Sequence, residues 1–198
     1  MTGSEDRPGA RSTRRSSIRD RIIDAAIAVH GRKPGGTVAD IAREAGVSEA
    51  TIARHFQDEV DLVLACTTRY DETHPIPDAG AWTSIADPVD RLQTALTAMY
   101  RYYAENEAMI ASGRVGVAIR PEVAPAFRRY AEIEQENRRV VAEAWGHAPD
   151  DRSPTSGAIG HALAFETWRS LHHEQGLTDR QSIELMTAFV RSTKQAEP

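Results

Sequence analysis

The sequence has one cysteine, few aromatic residues and no long apolar run. Of its 198 residues 6% are aromatic, and Cys66 is the single cysteine. One cysteine excludes an internal disulfide framework and is typical of a reducing compartment. No apolar run approaches the roughly 20 residues that cross a bilayer, and the charged N-terminus lacks the apolar centre of a signal peptide. We therefore expect a cytoplasmic protein with no membrane partner.

Motifs of catalysis and metal binding are also missing. We find no HExxH pair, no glycine-rich phosphate loop and no GxSxG elbow. His172 and His173 are adjacent, so on a helix they point about 100° apart and cannot share one metal ion easily. We expect no catalytic residue, no metal and no cofactor. A metal-dependent helical enzyme stays as a less favoured alternative, which bound metal and turnover would reveal.

Charge is distributed unevenly along the chain. Residues 1–56 hold 10 Lys and Arg against 7 Asp and Glu, whereas residues 57–198 hold 14 against 22. A basic N-terminal part on an acidic body indicates a polyanionic partner for the first part alone.

Apolar residues recur at helical spacing almost throughout, and neither strand alternation nor a hairpin signal is present. The sequence therefore predicts an all-α fold with about nine helices. Residues 1–15 contain hardly any apolar side chains and are predicted to be a flexible basic arm, with a serine capping the first helix near residue 16. Near the C-terminus we expect two long helices, over 155–175 and 178–194.

The segment TVADIAREAGVSEATIARHF predicts a helix-turn-helix. Counted from Val38, the fifth residue is Ala42, the ninth Gly46 and the fifteenth Ile52. The helix crossing requires a small residue at the fifth position, the turn suits a left-handed glycine at the ninth, and the fifteenth is an apolar plug. Thr37 and Ser48 are the expected N-caps of the two helices.

The second of these helices has a face suited to DNA. Ile52 and Phe56 lie on its predicted buried side, while Ala50 and Arg54 point away from them. Small residues let a helix enter the major groove, where arginine can bond guanine O6 and N7 together. A simple helical hairpin with a glycine corner would explain each feature singly, but the full set and the basic charge favour DNA binding.

Residues 19–65, RDRIIDAAIAVHGRKPGGTVADIAREAGVSEATIARHFQDEVDLVLA, resemble the tetracycline-repressor (TetR) family of bacterial transcription regulators. The resemblance implies a homodimer whose three N-terminal helices bind a palindromic operator of double-stranded DNA. It also implies a larger helical domain with a small-molecule pocket, and last helices that pair with their mates in a four-helix bundle. Ligand binding would then release the DNA. The expected division is a DNA-binding domain over 16–60 and a ligand-binding and dimerisation domain over 61–198.

Arg54 is expected to read a base, while Thr37, Ser48, Thr51 and His55 mainly hold the DNA backbone. The other predicted DNA-binding residues are Arg11, Arg14, Arg15, Glu49 and Ala50. The family usually has tyrosine where this chain has Ala53, and lysine where it has Glu59. Both family residues normally touch phosphate. We expect the arm to replace this anchoring, although a dimeric ligand-binding or interaction protein with weakened DNA binding stays open as an alternative.

On one continuous helix, His161, Phe165, Trp168 and His172 would fall within about 60° of one another. Core packing explains such a stripe, and so does the wall of a pocket for a small, largely apolar or aromatic effector. The other residues expected to line the pocket are Met99, Tyr103, Phe127, Tyr130, Glu134, Asn137, Val141 and Trp145. The residues expected to add apolar surface for the partner subunit are Ile159, Leu163, Leu171, Ile183, Met186, Ala188, Phe189 and Val190.

Overall fold

The computed structural model describes the backbone of residues 8–32, 34–147 and 153–195, and the side chains of those ranges from residue 18 onward. Across these residues nine α-helices form and no strand does, which confirms the all-α prediction. The helices are α1 (Pro8–Arg32), α2 (Val38–Ala45), α3 (Glu49–His55), α4 (Glu59–Thr73), α5 (Pro88–Ile119), α6 (Arg128–Ala144), α7 (Pro154–Ala162), α8 (Phe165–Arg169) and α9 (Asp179–Gln195). None of these described helices has the length and apolar character needed to cross a membrane.

The chain divides into two compact units. The first consists of residues 1–74 and 108–127, and the second of residues 75–107 and 128–198. This division differs from the boundary expected at residue 60. The difference arises because the 3-10 segment Pro121–Phe127 packs against α4, so the last part of α5 and this segment belong with the N-terminal helices.

Helix α1 begins at Pro8, so the backbone of residues 8–15 is helical where the sequence predicts a flexible arm, and the expected serine cap near residue 16 lies inside the helix. Two reasons account for the difference. Proline is tolerated in the first turn of a helix, and alanine and arginine extend an existing helix at little cost. Residues 1–7 lie outside the described part of the chain.

The first unit has a core built from α1 to α4. Its members include Ile22, Ala26, Ile41, Ile52 and Leu62, all nearly inaccessible to water. Phe56 and Cys66 close this core, and burial raises the pKa of the Cys66 thiol to about 12. Because the thiolate is disfavoured there, the cysteine is structural, as its apolar setting predicts.

The predicted helix over 155–175 is wrong as a single element, because the chain turns at Leu163 and Ala164 between α7 and α8. The Tyr100 hydroxyl donates to the Ala162 carbonyl at 2.9 Å, and the Tyr103 hydroxyl donates to the Leu163 carbonyl at 2.7 Å. These two tyrosines of α5 satisfy buried carbonyls that the broken helix no longer pairs. A π-helical segment, Ser170–Glu174, then follows α8.

Candidate nucleic-acid interface

The corner between α2 and α3 has the predicted helix-turn-helix geometry. The Thr37 side chain accepts a hydrogen bond from the Asp40 main-chain N–H, and the Asp40 carboxylate accepts one from the Thr37 main-chain N–H. This reciprocal pair is a capping box. At the other end of α2, Gly46 has a φ of 64°, which glycine adopts without the steric cost of a Cβ atom. The predicted cap and corner are both confirmed.

Helix α3 is anchored on one face and exposed on the other. Its N-cap is Ser48, whose hydroxyl accepts a hydrogen bond from the Thr51 main-chain N–H at 3.2 Å. Ile52 and Phe56 are buried, as predicted. The exposed residues of α3 are Glu49, Ala50, Ala53 and Arg54, while Thr51 and His55 are half-buried. The structure therefore presents a short helix with two methyl groups, one carboxylate and one guanidinium toward the outside.

Two arginines of α1 cap the C-terminal ends of α2 and α3. The Arg21 guanidinium donates to the Ala45 carbonyl at 2.5 Å, and Arg19 Nη1 donates to the His55 carbonyl at 2.6 Å. A cation at a helix C-terminus is favoured by the helix dipole as well as by the hydrogen bond. Sequence reasoning missed both roles, because the partners lie 24 and 36 residues away along the chain.

The N-terminus of α4 is tied to the end of α5. Asp58 caps α4, and the Glu59 carboxylate forms an ion pair with the Arg120 guanidinium. Nearby, His30 Nδ1 lies 3.1 Å from the Ser112 hydroxyl, and the pKa of His30 is lowered by burial and then by Arg120. Glu59, which stands where the family has a phosphate-binding lysine, thus has a structural partner inside the first unit.

The arginines predicted to form the arm are on the first helix. The backbone of Arg11, Arg14 and Arg15 is part of α1, and their side chains lie outside the described residues. Their contact with DNA stays a prediction.

The residues predicted to line an effector pocket do not share one surface. Seven of them are buried in the second unit: Met99, Tyr103, Asn137, Val141, Trp145, Phe165 and Trp168. Glu134, His161 and His172 are exposed, Tyr130 is half-buried, and Phe127 belongs to the first unit, where its ring lies beside Gly113. The break after α7 explains why His161 and His172 do not share the predicted stripe, since they no longer follow one regular helix.

Some buried polar atoms of the second unit have no hydrogen-bond partner. Within the described part of the second unit they include Asn137 Oδ1, Trp145 Nε1 and Thr187 Oγ1. Asn137 is 2% exposed, and its Nδ2 atom donates to the Met99 sulfur at 3.5 Å. An unpaired buried polar atom is costly, so each of these is a candidate contact for a polar group of a ligand. Sequence analysis missed Thr187.

Comparison with known proteins agrees with this geometry. Residues 22–66 match the family model described as bacterial regulatory proteins, tetR family. No curated protein sequence matches the chain significantly.

Several solved structures share the fold of this chain. A Rhodococcus sp. protein assigned to the TetR-family transcriptional regulators is 18% identical, with a TM-score of 0.58, and the match covers 90% of this chain and 99% of that one. The multidrug binding protein EbrR, complexed with imidazole, is 21% identical with a TM-score of 0.56, over 87% and 89% of the two chains. FadR from Bacillus subtilis, in complex with stearoyl-CoA, is 15% identical with a TM-score of 0.53, over 90% and 98%.

The helix-turn-helix at Gly46, the family model that matches around it and the shared fold lead to one assignment. Residues 22–66 are a segment of the kind found in the tetR family of bacterial regulatory proteins, and the fold of the described chain is the one seen in solved TetR-family transcriptional regulators.

Proposed function

We propose that this protein is a ligand-responsive transcriptional regulator, most simply a repressor, that binds a palindromic operator as a homodimer. The exposed face of α3 carries the proposal. It offers small side chains and Arg54, whose Nη2 lies 3.4 Å from the Thr51 hydroxyl and which is free to extend toward a base edge. The caps at Thr37, Ser48 and Arg19 hold this face in place.

The proposed dimer uses an apolar face of α9. Leu185 and Phe189 are 46% and 40% exposed, and Ala188 lies between them on the same helical stripe. The His161 ring of α7 packs edge-on against Phe189, so this face continues onto α7. Such a surface on two packed helices suits a second copy of the same pair, and two-fold pairing would present two copies of α3 to half-sites about 34 Å apart.

Several residues expected at this interface are buried within the subunit instead. Met186, Val190, Ile159 and Leu163 are all less than 9% exposed, and they pack α7 and α9 in the second unit. Sequence periodicity indicated that both helices are strongly apolar, but it could not divide the stripes between core and partner. Leu185, which was not predicted, is the most exposed large apolar residue of α9.

The proposed effector is small and largely apolar or aromatic. The second unit buries the aromatic cluster of Tyr103, Phe165 and Trp168, whose ring centroids lie 5.4 to 6.0 Å apart. Asn137 Oδ1 would accept a hydrogen bond from the effector, and Trp145 Nε1 would donate one. Trp145 directly follows α6 and is eight positions after Asn137, so the backbones of the two residues are about 12 Å apart along the helix axis.

A gel shift with the DNA that flanks the gene of this protein tests DNA binding. We expect the wild-type protein to retard one fragment, and Arg54→Ala to weaken that complex by about ten-fold to a hundred-fold while nonspecific binding changes little. Arg101→Ala removes the same charge from an exposed site on α5 and serves as the matched control. Equal weakening on all sequences would make Arg54 a phosphate contact instead.

A second candidate function is a dimeric ligand-binding or interaction protein whose DNA-binding unit has lost affinity. The observation that favours it is Ala53, an exposed alanine where the family usually has a phosphate-binding tyrosine. A stable dimer that retards none of the flanking fragments would support this second function over the first.

A further inference from the structure

The exposed face of α3 has an ordered chemical layout. At 100° per residue, Glu49 and Arg54 stand about 140° apart, and Ala53 and Ala50 lie between them. Ile52, about 130° from the middle of this face, and Phe56, which follows the last residue of α3, are buried. The face that can reach DNA therefore has an acceptor at one edge, a donor at the other and two methyl groups in the middle.

Glu49 narrows the range of DNA groups that can lie against its edge of α3. Its carboxylate is exposed in the first turn of the helix, where it is favoured by the helix dipole, and it accepts hydrogen bonds but donates none. It repels phosphate, so it cannot be a backbone anchor. In the major groove the base group that complements a carboxylate is the N4 amino group of cytosine.

Ala50 and Ala53 limit the base groups that the middle of this face can recognise. Neither side chain can form a hydrogen bond, and both are exposed on the face that would meet the groove. The apolar group that the major groove presents is the C5 methyl of thymine. Because neither residue is large, the helix can come close enough for methyl-to-methyl contact.

We propose that Glu49, Ala50 and Ala53 read a pyrimidine step, in which a cytosine amino group meets Glu49 and a neighbouring thymine methyl meets the alanines. This inference rests on the proposed DNA-binding function and extends it beyond Arg54, because it assigns the base class recognised at the N-terminal end of α3. Glu49 and the two alanines are thus specificity-determining residues, whereas Thr51 and His55 contribute to holding the backbone.

Selection of bound sequences from a randomised half-site library, with full-length wild type and Glu49→Gln in parallel, tests the carboxylate. We expect wild type to select cytosine at one position, and Glu49→Gln to shift that position toward adenine by about ten-fold, because glutamine pairs with adenine N6 and N7. Glu44→Gln removes a carboxylate from α2 and is the matched control; it should keep the cytosine. Cytosine retained by Glu49→Gln would overturn the proposal.

Replacement of thymine by deoxyuridine in the selected half-site tests the alanines, since it removes one methyl group and nothing else. We expect wild-type affinity to fall about fourfold at one position, the effect of one buried methyl-sized group, and Ala50→Gly to abolish that difference. Thermal melting of Ala50→Gly shows whether the protein still folds. If it does not, Ala53→Gly replaces it in the deoxyuridine comparison. A wild-type affinity that stays unchanged when deoxyuridine replaces each thymine in turn would overturn the methyl contact. A wild-type protein that selects no sequence at all would refute specific operator binding itself, which separates the two failures.

Discussion

Arg19 Nη1 in α1 donates a hydrogen bond of 2.6 Å to the main-chain carbonyl of His55, the last residue of α3. The same guanidinium stacks over the Phe56 ring at 4.1 Å, and its Nη2 atom lies 3.4 Å from an Asp61 carboxylate oxygen. One side chain thus links the C-terminus of α3 to the start of α4. Part of the N-terminal basic charge, which indicates a polyanionic partner, therefore forms contacts within the protein.

Arg19→Met should lower both stability and operator affinity without changing the salt dependence of binding. The substitution removes the cap and the ion pair but keeps an apolar side chain on Phe56, and we expect a loss of about 1.5 kcal/mol in the free energy of unfolding. Urea unfolding and gel shifts over a range of salt concentrations measure both effects. A log K against log salt slope that flattens by about one per subunit would instead make Arg19 a phosphate contact.

Glu59→Lys should destabilise the protein, because it places an ammonium group beside Arg120. Adding Arg120→Glu should restore the ion pair in reverse, with a coupling of about 1 kcal/mol, since both side chains are about one quarter exposed and partly screened. Thermal melting of the four proteins gives this coupling. Independent effects of the two substitutions would show that the ion pair adds nothing.

Phe189→Glu should convert the proposed dimer to a monomer, because it places a carboxylate at the centre of the apolar face of α9. Light scattering at micromolar concentration measures the mass. Leu64→Glu is the matched control, since Leu64 is 51% exposed on α4 in the first unit. A wild-type protein that is monomeric under these conditions would contradict the dimer.

Asn137→Leu should stabilise the protein and reduce its response to effector. Leucine has a similar volume and leaves no unpaired amide oxygen in the buried site, so the free energy of unfolding should rise by about 1 kcal/mol. The same change removes the proposed acceptor for the effector. Urea unfolding gives the first result, and binding of an effector found by screening gives the second. Lower stability together with unaltered effector binding would mean that Asn137 is a structural residue whose partner is protein.

The buried thiol of Cys66 should make stability fall as the pH rises above about 9. Its folded pKa is raised to about 12 from an ordinary value of 9.0, so the folded state holds the proton that the unfolded state releases between these values. Stability is therefore full below the unfolded pKa and is lost as pH rises toward the folded pKa. Cys66→Ala should reduce the dependence of the free energy of unfolding on pH, measured by urea unfolding between pH 8.5 and 10. The thiol contributes at most ~1.4 kcal/mol per pH unit to this dependence. Equal slopes for both proteins would show that the thiol does not control this range.

The sequence by itself determined the helix-turn-helix and its exposed face. Thr37, Gly46, Ser48 and Ile52 act within one or two helical turns of their partners, so residue type and spacing were enough to predict their caps, corner and plug. Local hydrogen bonds and helical periodicity depend little on the rest of the chain.

Tertiary structure decided the features that depend on distant segments. Arg19 reaches His55 and Glu59 reaches Arg120 across 36 and 61 residues, and no local pattern indicates such pairs. The hydroxyl groups of Tyr100 and Tyr103 satisfy carbonyls at the break that divides the predicted helix over 155–175. Periodicity shows how much of a helix is apolar, but only packing assigns Val190 to the core and leaves Leu185 and Phe189 outside, because each apolar stripe is buried by whichever neighbour the fold brings to it.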